Sequence, residues 1–203
     1  MNEILRLCLL PILFATTVPL LAQPASSPPY EIAPKAFPGD SVKSFYAVYG
    51  DSAEASDVAL TWKRTGYSVT AWTMHNDMVA SIFVRTVDGM VVRTPDGVLL
   101  GKWTFREVLE WARKNHIQLH ELIQSGDGIW MLEAYFTSLA RPNQVSVYVW
   151  LLPGSDVIDR QIDRGTLPLH SEPFLDMTVK SYRVERGSVA EYALSGGSAS
   201  VHD

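Results

Sequence analysis

Two long apolar runs, Ile129 to Leu139 and Val145 to Leu152, stand either side of Arg141-Pro142-Asn143. Nothing else in the chain constrains its fold as much. Proline and asparagine favour a turn, and the flanking runs are rich in the β-branched and aromatic residues that suit a pleated strand. In the second run Val145, Val147, Val149 and Leu151 share one face, and Tyr148 and Trp150 share the other, the two-residue period of a strand. The expectation is a pair of strands ended by Pro153-Gly154. Glu133 interrupts the first run between Leu132 and Ala134. A carboxylate on a core face needs a partner. The favoured reading is a wet face carrying Met131, Glu133, Tyr135 and Thr137.

Helix and turn signals order the rest. Asp40 or Ser41 can cap a helix in which Val42, Phe45, Tyr46 and Tyr49 recur at helical spacing, and Gly50 stops it. Three short segments follow: Val58-Leu60-Trp62, Tyr67-Val69-Ala71 and Met78 to Val84, with a further short strand at Met90 to Arg93. Thr104 and Glu107 have capping-box spacing, and Phe105, Val108, Leu109 and Ala112 form one helical face. Ile117 to Gln124 then reads as a strand before the long pair. The order helix–strand–strand–strand thus occurs twice, predicting two units at 39–93 and 102–152. Beyond them, 157–164 reads as a short helix and 177–184 as one more strand. The predicted fold class is α+β, an antiparallel sheet with helices packed on one face.

The N-terminus reads as a secretory signal. Arg6 precedes an apolar stretch from Leu7 to Ala22, and Gln23-Pro24-Ala25-Ser26 follows. An uncleaved membrane anchor is the other reading. Residues 23–38 are expected to be a Pro-rich linker, 39–194 the globular body, and 195–203 a disordered tail. Cys8, the single cysteine, lies within the signal, so the exported body would have neither disulfides nor thiolate chemistry. The expected location is periplasmic or secreted.

A helix entered through Gly39-Asp40-Ser41, closed by Gly50 and followed by a meander containing Trp62 and Tyr67 resembles the β-lactamase-inhibitor-protein-like fold. That fold also occurs in small outer-membrane assembly lipoproteins, and its two helix–meander units share one sheet. The likeness spans Gly39 to Leu152, and the chain lacks the lipid-attachment cysteine of the lipoprotein members. The resemblance implies a non-catalytic protein-binding module of the envelope.

Composition narrows the function classes. A net charge of -5, from 17 basic and 22 acidic residues, argues against nucleic acid and against strong binding to anionic membranes, both of which need clustered cations. His116 and His120 are four apart, but no third ligand stands at a zinc spacing. Asp156, Asp159 and Asp163 with Arg160 and Arg164 read as a solvated helix face. No nucleophile elbow or phosphate loop is present, and neither a cofactor nor a metal is expected. The remaining lead is aromatic: with six tryptophans, an uncovered sheet face is expected to present Trp72, Trp130, Tyr135, Tyr148 and Trp150 to another envelope or secreted protein. Two alternatives stand beside this one. The first is a small-molecule carrier with an apolar pocket. The second is a hydrolase drawing on Glu133, His120 or Asp127.

Overall fold

The computed structural model describes residues 30–32, 36–51, 54–74, 76–126 and 129–195. The expected signal, most of the proximal linker and residues 196–203 lie outside these. In chain order the elements are β1 (Tyr30–Glu31), α1 (Val42–Tyr49), β2 (Glu54–Ala55), β3 (Ala59–Arg64), β4 (Tyr67–Thr73) and β5 (Val79–Thr86). There follow β6 (Val92–Arg93), β7 (Leu99–Leu100), α2 (Phe105–Lys114), β8 (His120–Gly126), β9 (Ile129–Thr137) and β10 (Gln144–Leu151). The chain then forms α3 (Asp156–Asp163), a 3-10 turn at Phe174–Asp176, β11 (Ser181–Arg186) and α4 (Val189–Leu194).

The protein is α+β. One antiparallel sheet carries eight strands in the order β2-β3-β4-β5-β11-β10-β9-β8. The β3–β5 and β8–β10 meanders form its two halves, and they do not pair with each other. β11 lies between them, hydrogen-bonded to β5 through Ser181–Glu185 and to β10 through Ser181–Arg186. A second, three-stranded sheet joins β1, β6 and β7.

Each meander buries a tryptophan under its own helix. Phe45, Tyr46 and Tyr49 of α1 surround Trp62, with ring centroids 5.6 to 5.9 Å away, and the Trp62 indole N–H donates to the Gly50 carbonyl at 2.7 Å. Phe105 of α2 meets Trp150 edge-on at 5.0 Å, and the Trp150 indole donates to the Met177 carbonyl at 2.9 Å. Burying a side chain of this size stabilises by about 1.5–3 kcal/mol, provided its N–H finds an acceptor. The capping box of α2 forms as its spacing predicts, with Thr104 accepting from the Glu107 N–H and Glu107 accepting from the Thr104 N–H.

The expected linker is not one along its described residues. The Tyr30 N–H donates to Val91 and the Ile32 N–H to Arg93, so β1 runs parallel to β6. Ile32, Ala36 and Phe37 are buried. The body therefore takes in residues before Gly39. Gly66, at φ +88°, lies against the Tyr30 ring with no room for a Cβ. The Thr94–Gly97 turn between β6 and β7 is equally firmly held. Asp96 is buried there and accepts from Ser138 Oγ at 3.2 Å, the Leu139 N–H at 2.8 Å, Ser146 Oγ and Tyr182 Oη at 3.2 Å. One turn carboxylate thus ties the small sheet to the middle of the large one.

Candidate functional site: the face opposite the helices

Three helices and the small sheet's buried residues pack on one side of the large sheet, within one apolar cluster. The opposite side divides in two. Strand register sets out its rows. One runs Thr61–Thr70–Phe83–Arg183–Val147–Tyr135–His120, and the next runs Ala59–Trp72–Ser81–Glu185–Val145–Thr137.

Over β9 and β10 this face is covered by α4. Tyr135, Val145, Val147, Val149 and Tyr192 form a separate buried cluster there. Over β3–β5 no described helix covers it. Trp72 and Phe83 are partly exposed and meet edge-on at 6.2 Å. Thr61 and Thr70 hydrogen-bond to each other beside them at 3.1 Å, and Lys63 and Arg85 extend into solvent.

The expected aromatic surface is corrected accordingly. Even-numbered residues of β9 and β10 point to the helix side. Tyr148 and Trp150 are therefore buried in the main core, and Trp130 packs there too, donating its indole N–H to Asp159 of α3 at 2.8 Å. Tyr135 faces the other way but is sealed beneath Tyr192, ring centroids 4.9 Å apart. Of the five residues expected on an uncovered face, Trp72 alone lies on the open half. Phe83, which the sequence reading passed over, is its partner. It falls at alternate spacing from Arg85 and Ser81, the signal of an outward position.

The expected wet face around Glu133 is also corrected. Glu133 has no exposed surface. Its Oε1 accepts from Arg183 Nη2 at 2.9 Å, and its Oε2 accepts from Gln124 Nε2 and from Tyr192 Oη, both at 2.6 Å. Arg183 also donates to Tyr192 Oη and lies 3.1 Å from Glu185 through Nε. Two buried carboxylates therefore share one guanidinium. Burial raises both carboxyls above their ordinary range, with Arg183 pulling the other way. Glu185 is pushed up to about 7, the neighbouring Glu133 adding to the rise. His120 stacks on Tyr135 at 5.4 Å, on the far side of that ring's row from Arg183. Asp127 lies outside the described residues.

Away from this face, two recesses of about 390 and 330 Å³ are open to solvent. One is walled by Glu121, Leu167 and His170, the other by Trp130, Leu152 and Asp159. Among the described residues no group of three metal-binding side chains converges, and no helix is long and apolar enough to cross a membrane. Comparison with known proteins finds no matching family model, curated protein or solved structure. The class that fold and site define is an α+β protein with a mainly antiparallel sheet, one face of which is half covered.

Proposed function

We propose that the chain is an exported, non-catalytic protein-binding module whose partner docks on the open half of the sheet around Trp72 and Phe83. One observation carries the reading: this aromatic pair is partly exposed on two interior strands of the sheet, whose register shifts just after Trp72. A rigid aromatic anchor gives contact area at low entropic cost. Arg85 lies two residues from Phe83 on the same face, and Lys63, paired with Glu54, stands in the same row, so a fitting partner offers an apolar knob with a carboxylate on its Phe83 side. A hydrolase built on Glu133 would need substrate to reach a carboxylate with no exposed surface. A carrier would need an enclosed pocket, and both recesses above are open.

The test compares wild type with Trp72→Ala and Phe83→Ala. A protein captured from the envelope or secreted fraction is purified and titrated against all three. Binding weakened about thirtyfold by either substitution, some 2 kcal/mol, with the fold intact, supports the reading. Equal affinity for all three removes it.

A further inference from the structure

The cover over β9 and β10 is held chiefly at one residue, Tyr192, whose hydroxyl bonds to Glu133 and Arg183. α4 is six residues long, too short to persist alone in water. Val189 and Tyr192 are the side chains it contributes to the apolar cluster, and Leu194 is 89% exposed. Its link to β11 is Gly187-Ser188, with Gly187 at φ +120°. What lies beneath cannot be left bare. Val145, Val147, Val149 and Tyr135 are each buried to at least nineteen-twentieths, and without α4 they would form a contiguous apolar patch next to the open half.

α4 also leaves this surface incompletely satisfied. Glu185 stands on β11 close to where the chain turns into α4, and its side chain is 6% exposed. Oε1 meets Arg183, whereas Oε2 is buried and takes no donor among the described residues. The N-cap and first turn of α4, Ser188 to Glu191, give Glu185 Oε2 no side-chain donor. The Ser188 hydroxyl is committed to Glu191 in the capping box, and a valine side chain has nothing to donate. A buried carboxylate oxygen without a donor is a standing cost that a better-matched occupant would relieve.

We infer that the groove beneath α4 is a docking site for a short amphipathic helix of a second protein, carrying a tyrosine with Lys or Arg three or four positions before it. α4 fills the groove in cis until that helix displaces it. That tyrosine takes the seat of Tyr192, beside Tyr135 and Glu133. The cation, one turn earlier on the same helical face, reaches Glu185. Recognition is of the helix-in-groove kind. Exchange is driven by the difference between the two helices, since the incomer supplies a charge pair that α4 lacks. This site lies on the other half of the face from the Trp72–Phe83 anchor and stands or falls without it.

Two fluorescein-labelled, stapled twelve-residue helical peptides test the inference. One reproduces the α4 sequence around Val189–Leu194, and the other differs only by lysine in place of the valine. Each is titrated by anisotropy into wild type, Tyr192→Ser and the double variant Tyr192→Ser/Glu185→Gln. Amide exchange of β10 checks that the sheet persists. The lysine peptide is expected to bind Tyr192→Ser at least about tenfold tighter than wild type, and at least about tenfold tighter than the unaltered peptide binds it. Adding Glu185→Gln brings that preference below about threefold. If Tyr192→Ser does not fold, Ser188→Ala loosens α4 by removing its cap, and lysine-peptide binding is expected to rise about fivefold over wild type. The inference is overturned if neither peptide binds a folded, loosened protein, if the two bind alike, or if Glu185→Gln leaves the preference intact.

Discussion

Arg183 reaches diagonally over β10 to Glu133, 2.9 Å away on β9. In register Arg183 stands opposite Val147, and Glu133 opposite Val149, so one ion pair straps three strands together. Its surroundings are apolar, and both ends take further partners. Gln124 and Tyr192 complete Glu133, and Glu185 and Tyr192 lie against Arg183.

Removing the guanidinium strands two carboxylates in an apolar setting. Arg183→Met is expected to destabilise the fold by about 3–5 kcal/mol in urea denaturation. Adding Glu133→Gln, which takes away one of the stranded charges, should restore roughly half of the loss. Equal stability of wild type and Arg183→Met would show that the pair contributes nothing net.

Acidity follows from the same cluster. Folding raises the Glu185 carboxyl from 4.5 to about 7. A raised carboxyl favours the folded state fully while both states are protonated, below about pH 4.5, and that contribution disappears as pH climbs through about 7. At about 1.4 kcal/mol per pKa unit the loss is at most about 3.5 kcal/mol. Glu133, also raised by burial, acts in the same direction. Melting temperatures recorded from pH 4.5 to 8 should fall for wild type and fall less for Glu185→Gln. Parallel curves for the two proteins would contradict the assignment.

Asp96 is a third buried carboxylate with a different task. Asp96→Ala leaves the hydroxyls of Ser138, Ser146 and Tyr182 and the Leu139 N–H without their acceptor. A loss of more than about 3 kcal/mol is expected from chemical denaturation. Asp96→Asn keeps the shape and one acceptor oxygen, and should recover roughly half of that.

Gly66 tests the docking of the N-terminal arm. Alanine there meets both a left-handed backbone at φ +88° and the Tyr30 ring. Gly66→Ala is expected to cost roughly 1–2 kcal/mol in backbone strain and to lift Tyr30 away. Amide exchange should speed up at Tyr30 and Ile32, whose N–H groups bond to Val91 and Arg93, while β5 amides keep their protection.

What was legible in the sequence was local. Ser41, Gly50 and the Thr104–Glu107 pair mark helix ends because a cap is made by residues three or four apart. The alternation of Val145 to Leu151 shows which residues share a face for the same reason. Which face is buried depends on what packs there, and that is a long-range matter. Tyr148 and Trp150 read as exposed because nothing nearby in sequence reveals Phe105 of α2 against Trp150 or the Thr94–Gly97 turn against Tyr148. Glu133 looked like a solvent residue because its partner Arg183 is fifty positions away. α4 did leave a local trace, the Ser188–Glu191 capping box, but its apolar contact comes from only two residues, too few for a period to show. Residues 23–38 read as a linker on their prolines. The β6 strand that pairs with Tyr30 and Glu31 has only two residues and little sequence character of its own.

The place of β11 between β5 and β10 has a consequence for how the molecule is made. A ribosome delivers residues 181–186 after all seven other strands of the large sheet have emerged. Until then β5 and β10 each present a bare hydrogen-bonding edge, open to pairing with a neighbouring nascent chain. The bonds that finally join the halves link residues about a hundred positions apart on the β5 side, which makes this closing step slow. Assembly thus ends with an insertion between two waiting edges, and a chain halted short of it holds two half-sheets with nothing to unite them.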